Sequence, residues 1–309
     1  MLHIRDVRPI AILFLAVLAA DQAKARDVFV NNVAGQDANR GVRADPRAGD
    51  GPVKTLDRAL RLVRRGGRIV LANTGQPYRE MISLCDVEQR GYVDLPLVIQ
   101  GNGATLDGTV VAAEGAWKYE NDNIFSFRPR RLTYQQLFRD GQPLARVRAA
   151  NVVGSASPLE PLEWALLADR IAFRVEEGKL PEQYQLWHSG LQTGITLYNT
   201  ENIRIEDLII QGFQQDGINA HELVRNCQLV RVECRANGRS GISVGGVSRV
   251  TIEDSKCYDN GRAQLRVEGQ GRVTARRSDF DAAGKDVPWL ETRGGSVEVD
   301  GVQFGTQAR

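Results

Sequence analysis

From residue 194 onward the apolar positions of this chain return at a nearly fixed distance. GITLYNTENIRIEDLIIQGF, GINAHELVRNCQLVRVECRANG, GISVGGVSRVTIEDSKCYDNG, QLRVEGQGRVTARRSDFDAAG and WLETRGGSVEVDGVQF align at Gly194, Gly217, Gly241, Gln264 and Trp289, in steps of 23, 24, 23 and 25 residues. Inside each unit apolar and polar residues alternate over short stretches broken by Gly or Asn, and no unit has room for a crossover helix. Three apolar columns follow: Ile195, Ile218, Ile242, Leu265, Leu290; then Ile205, Leu229, Ile252, Ala275, Val299; then Ile210, Cys234, Cys257, Phe280, Phe304. Strands stacked coil upon coil at about 4.8 Å bury such columns continuously, which predicts a parallel β-solenoid. Asn237 and Asn260, each followed by Gly, share a turn column and read as an asparagine ladder. Most outward charge is scaffold as well. One column runs Asp207, Arg231, Asp254, Arg277 and another Glu233, Lys256, Asp279, so each charge sits between opposite neighbours.

The N-terminal half has a different pattern. A strand at Val28 to Asn31 leads into a Gly/Asp-rich loop, and VKTLDRALRLVRRG sets Val53, Leu56, Leu60 and Val63 on one helical face before Gly66-Gly67 stops the helix. RIVLA is the next strand and LVIQGNGATLDGT a further coil. Val30, Gly35, Asp37, Gly51, Pro52, Thr55, Leu56, Ala59, Gly66, Gly67, Ile69, Leu71, Tyr78 and Glu80 together match the entry segment of the pectate-lyase-like β-helix superfamily, which this chain resembles. The resemblance implies an all-β, single-stranded right-handed parallel β-helix whose N-terminal end is plugged by the capping helix. It is specific for fold and not for reaction, and it makes Tyr78 and Glu80 structural members of the entry motif.

Residues 117–190 break the rhythm and read as a β-rich insertion of short hairpins. One turns at Asp140-Gly141 and another near Gly178. Leu137, Gly141, Leu144, Ala145, Arg146, Glu163, Trp164, Ile171, Phe173 and Val175 resemble the insertion found in exported carbohydrate-active β-helix proteins. Such an insertion commonly walls a groove; its Arg146 and Arg148 could face an anionic sugar or remain surface arginines.

Composition narrows the class. With 40 Lys+Arg against 38 Asp+Glu and no block of like charge, nothing marks a nucleic-acid stripe or a polybasic anchor. Arg5 and Arg8, the apolar run Pro9 to Ala20 and the Ala23-Lys24-Ala25 site read as a signal peptide over residues 1–25. The apolar run is shorter than the ~20 residues of a membrane span. The expected mature chain is therefore one β-helix domain over 26–309, secreted or held in the periplasm or cell envelope, with no span after cleavage. Cys85, Cys227, Cys234 and Cys257 lack zinc-site spacing; Cys234 and Cys257 share an interior column, where they fit either as free thiols or as a disulfide.

One face departs from alternating charge. The strand opening each coil carries Thr196, Asn219, Ser243, Arg266 and Glu291 outward, and two positions on, Tyr198, His221, Gly245, Glu268 and Arg293. Asp216 and Glu222 flank that strand in the second unit, and His188, where the insertion rejoins the coils, is placed to approach Tyr198 and His221. A polysaccharide lyase needs a base and a cation beside a uronate; His221 or Tyr198 with Arg266 or Arg239, or a calcium ion, would supply them. A glycoside hydrolase needs two carboxylates, for which Asp216 and Glu222 are the pair. The candidate set is thus His221, Asp216 and Glu222 for catalysis, and Asn219, Tyr198, Ser243, Arg266, Arg239 and His188 for binding a polysaccharide. No acidic cluster has the spacing of a calcium site, so no metal ligand is named. The polygalacturonase residue set and the W-x-D-H element of calcium-dependent pectate lyases are both missing. Against the enzyme reading stands a non-catalytic glycan-binding or envelope scaffold. In that case His221 is a polar surface residue beside Tyr198, and Asp216 is turn chemistry. VQFGTQAR offers no evident C-terminal cap, so self-association at that solenoid edge is expected.

Overall fold

A computed structural model describes residues 26–305 apart from 48, 86, 88, 114, 132, 148–158 and 282–286. Residues 1–25, expected to be a signal peptide, and Arg148 lie outside the described residues. The molecule is all-β with one α-helix among those residues. A long sheet runs, all parallel, through Asp27–Val30, Arg68–Leu71, Leu97–Asp107, Glu201–Gln211, Arg225–Val230, Arg249–Glu253, Arg272–Arg276 and Ser296–Val299. Its second arm adds Glu233–Arg235, Lys256–Tyr258 and Asp279–Asp281. A six-stranded parallel sheet holds Ile82–Leu84, Ile195–Tyr198, Asp216–His221, Ser240–Val244, Ala263–Glu268 and Leu290–Arg293.

The register reproduces the columns. Ile195, Ile218, Ile242, Leu265 and Leu290 are successive partners, as are Ile205, Leu229, Ile252, Ala275 and Val299. The third column is kept as far as Phe280, but Phe304 leaves it. Asp300 and Gly301 both take left-handed backbone, reverse the chain, and send Val302–Gly305 back antiparallel to Ser296–Val299, with Phe304 opposite Val297. The chain's own return strand therefore covers the last strand of the long sheet. The uncapped edge inferred from VQFGTQAR is corrected, and self-association there loses its support.

In four successive coils the bend between the two arms is a single left-handed residue: Asp207, Arg231, Asp254 and Arg277. Arg231 grips Asp207 through Nε and Nη2 at 2.6 and 2.8 Å, and Arg277 grips Asp254 at 2.7 and 2.8 Å. Inside, Asn237 and Asn260 are fully buried. Asn237 donates from Nδ2 to Asn260 Oδ1 at 3.0 Å and to the Ile210 carbonyl at 3.2 Å, while Asn260 donates to the Cys234 carbonyl and to Gln264 Oε1. The ladder therefore satisfies turn backbone that would otherwise be buried without partners. Cys227, Cys234 and Cys257 are buried free thiols and Cys85 an exposed one. Burial pushes the Cys227 thiol up to about 12, and the hydrogen-bonded Cys257 thiol, with burial, holds Cys234 well above the ordinary range.

The helix, Leu56–Leu62, starts at Thr55, whose hydroxyl accepts the Arg58 N–H. Asp37 accepts from the Lys54 and Thr55 amides, and Glu80 from those of Leu56 and Asp57. Leu56, Ala59 and Leu60 thereby join the same core cluster as the coil columns. Tyr78 is buried with its hydroxyl on the Ala72 and Val30 carbonyls, and burial pushes its pKa to about 12. These partners leave the entry-motif side chains no reason to be catalytic.

The irregular region forms two further sheets. One orders Arg146–Val147, Trp164–Leu166, Ile171–Arg174, Ile124–Phe127 and Lys118–Asn121; the other Thr109–Val111, Leu186–Ser189, Leu137–Arg139 and Gln142–Pro143. The Asp140-Gly141 hairpin forms as expected, with both residues left-handed. The second hairpin turns elsewhere. Gly178 makes a turn, but Ile171–Arg174 pairs with Trp164–Leu166 through a reversal closed by Leu167 N–H to Arg170 O at 2.9 Å. After Gly178, Pro181 opens a short 3-10 turn and has no N–H to give a ladder. Phe127, Leu137, Trp164, Ile171 and Phe173 make a core separate from that of the coils, and Arg146 lies over the Trp164 ring at 5.2 Å.

Candidate functional site

The outward rows of the six-stranded sheet come together as the repeat requires. Thr196, Asn219, Ser243, Arg266 and Glu291 are successive neighbours, and Tyr198 stands beside His221 with ring centroids 4.9 Å apart, edge to face. Tyr198 is 42% exposed, and Asn219 and His221 are half-buried. Glu222 follows, exposed and left-handed at φ 63°. The same turn position in the other coils belongs to Asn199, Gly246, Gly269 and Gly294. A glutamate there costs about 1 kcal/mol that Gly or Asn would avoid.

Other members of the predicted set are committed elsewhere. Asp216 is 0% exposed: Arg239 Nε and Nη2 donate to its two oxygens at 2.9 and 2.5 Å, and the Ser240 hydroxyl donates at 2.5 Å. A carboxylate so enclosed is not available to a sugar, which separates it from Glu222 as a catalytic pair. Arg239 is spent on the same contact. His188 does not join Tyr198 and His221; it is 7% exposed, stacks on Phe127 at 5.0 Å and lies between Val110 and Leu137. Burial lowers its pKa, against a smaller effect of the Ser189 carbonyl at 3.1 Å. The expectation that this face lacks charge pairing also needs correction. Arg262 binds Glu291 through two bonds of 2.9 and 3.0 Å and the Tyr134 hydroxyl at 3.1 Å, while Arg266 binds Glu268. Burial raises the Glu291 carboxyl, but Arg262, Arg266 and Arg293 outweigh it and hold it below the ordinary range. Arg266 keeps one unspent group: its buried Nε has no hydrogen-bond partner and lies 3.6 Å from Glu291. Ser243 is buried next to it.

A second set of polar residues went unnamed by sequence reasoning. Asp107, Gln211, Arg235 and Tyr258 are successive outward neighbours on the other arm of the coils. Asp107 Oδ1 accepts the Thr109 N–H at 2.8 Å, and its Oδ2 receives Gln211 Nε2 at 3.3 Å and lies 3.4 Å from Arg79. Arg235 donates to Gln211 Oε1 at 2.9 Å and to Glu233 at 2.7 Å, and the Tyr258 hydroxyl donates to Glu233 at 2.5 Å. The signal was present in the sequence, because each of Gln211, Arg235 and Tyr258 directly follows a member of the third apolar column. Two hollows of about 290 and 170 Å³ open beside this row, sharing Arg79, Asp107, Gly141 and Gln211. Among the described residues no group of three or more His, Cys, Asp or Glu side chains converges as a metal site.

Residues 187–304 match the family of right-handed β-helix regions. Among solved structures the chain is similar to one titled a glycoside hydrolase, at TM-score 0.57 and 12% identity, covering 87% of this chain and 74% of that one. The fold of this region is that of a right-handed β-helix. Weaker similarities join this β-helix to the pectate lyase Pel9A (TM-score 0.36, 11% identity, 89% and 78% covered) and to the GH136 lacto-N-biosidase of Eubacterium ramulus (0.41, 11%, 90% and 52%). No protein of curated function matches it in sequence. No helix among the described residues is long and apolar enough to cross a membrane.

Proposed function

We propose that this β-helix is an exported, carbohydrate-active enzyme that cleaves a uronate-bearing polysaccharide on the face of its six-stranded sheet, by lyase chemistry. The observation that carries the reading is the pair of exposed Tyr198 and half-buried His221, followed at once by a glutamate in a backbone position suited to glycine. A strained, exposed acidic residue beside an imidazole is a mark of function rather than of stability. Hydrolysis by two carboxylates is disfavoured because Asp216 is enclosed by Arg239 and Ser240. Elimination needs less: His221 takes the proton from the carbon next to the uronate carboxylate, the C–O bond to the leaving sugar breaks, a C=C bond forms, and the proton passes from the imidazolium to the departing oxygen. Asn219, on the same strand, donates to the charge developing on the carboxylate. Arg266, two strand spacings or roughly 10 Å along the stack from Asn219, is buried and paired with Glu268, and so adds positive charge beneath this face without touching the sugar. In this reading the helix Leu56–Leu62 caps a single solenoid, and the residues of the insertion wall it.

A panel of uronate polysaccharides tests this. Rising ultraviolet absorbance from an unsaturated uronide, lost by ~100-fold or more in His221→Ala, is the expected result. New reducing ends without that absorbance would assign a hydrolase, and binding without cleavage would assign a glycan-binding scaffold.

A further inference from the structure

Trp187 stands between two of three neighbouring hollows that the proposed reaction does not use. It lies in the four-stranded sheet between Val111 and Phe138. Arg79 covers its ring at 4.1 Å and lines the two smaller hollows. The third, about 480 Å³, is lined by Trp187 together with Trp117, Tyr184 and Val111, and Gln185 borders both this hollow and the 170 Å³ one. That volume falls within the ~300–1,000 Å³ of small-ligand sites.

We infer that these hollows form a second glycan site, on the insertion side of the molecule, that takes a neutral saccharide. A pyranose presents an apolar C–H face and a rim of hydroxyls. The aromatic hollow answers the first, and Asp107, Gln211 and Gln185 in the neighbouring hollows answer the second. Asp107 and Gln211 are nine-tenths buried and fixed by mutual hydrogen bonding, so their free lone pairs and N–H groups are held in place before a ligand arrives. Charge sets the selectivity. Asp107, Asp140 and Glu182 line the hollows; Arg79 serves Asp107 and the Thr109 hydroxyl, and Arg139 lies 3.5 Å from Asp140, which leaves one carboxylate in excess. A uronate entering here meets net negative charge whose cations are already paired with carboxylates. The two sites together select a polymer that carries both acidic and neutral sugars. The ligand class rests on the carbohydrate reading above; the location and the preference for neutral sugar do not.

Isothermal titration of the full chain with neutral and uronate oligosaccharides tests the site. The expected result is that the wild type binds a neutral oligosaccharide at least tenfold more tightly than a uronate of equal length at this site. Trp187→Ala weakens that binding at least tenfold, and Gln185→Ala, at an exposed position that folding does not need, weakens it about threefold. His221→Ala leaves it unchanged. Neutral-sugar binding that survives both Trp187→Ala and Gln185→Ala overturns this inference alone, whatever His221→Ala does to uronate cleavage. Absence of binding to any glycan overturns it together with the proposed function.

Discussion

The coils and the insertion are built on opposite terms. In the coils nearly every side chain answers to the residue one turn earlier and one turn later, so charge becomes Asp207–Arg231 and Asp254–Arg277 pairs and amide groups become the Asn237–Asn260 ladder. In the insertion no such neighbour exists. Its strands pair locally, it needs its own core around Trp164 and Phe173, and its junction with the coils leaves hollows unfilled. Repetition makes a stable wall and consumes polar groups; interruption of the repeat leaves room for a ligand. Glu222 is the exception inside the coils, an acidic residue where its column asks for glycine or asparagine.

The comparison can be broken at Asp216. If it belongs to the wall, Asp216→Ala strands the half-buried Arg239 and the buried Ser240 hydroxyl and costs about 3 kcal/mol in chemical denaturation; near-native stability with lost cleavage would return Asp216 to the catalytic set. Asn237→Ala removes the partner of the Phe213 amide and of Asn260, and is expected to cost about 1–3 kcal/mol. Glu222→Gly should do the reverse, stabilising the fold by about 1 kcal/mol while lowering activity, which separates strain kept for function from strain without purpose. Arg231→Ala, at an exposed pair, is expected to cost under about 1 kcal/mol and less at high salt. The gentlest test is pH. Burial lowers the His188 pKa, so as pH falls below about 6.5 the unfolded chain takes up a proton that the native ring refuses, and stability declines; at higher pH the contribution is complete. His188→Gln should flatten that part of the stability profile.

The same contrast explains what could be read from the sequence. Coil register, the inward columns and the alternating charge were legible because a spacing of 23 to 25 residues forces each position onto its homologue in the next coil. The commitment of Asp216 was not legible: its partner Arg239 is one coil away, but at a corner where an aspartate before glycine reads equally well as turn chemistry. His188 failed for another reason. Its direction is set by antiparallel pairing with Val110 and Leu137, which no repeat specifies. Phe304 followed the column rule until the Asp300-Gly301 reversal ended it. The row Asp107, Gln211, Arg235, Tyr258 was available in the pattern and gained meaning only when the hairpin at Asp140-Gly141 was seen to close over it.

The bends between the two arms carry a parity. Their geometry repeats every coil, but Asp207, Arg231, Asp254 and Arg277 alternate in charge, so their chemistry repeats every two. Excising one coil, from Arg231 to Glu253, would set Asp207 against Asp254, whereas excising two would set Asp207 against Arg277 and preserve the pairing. Length changes in this solenoid are therefore tolerated in even numbers of coils more readily than in odd, a counting rule written into a single column of turn residues.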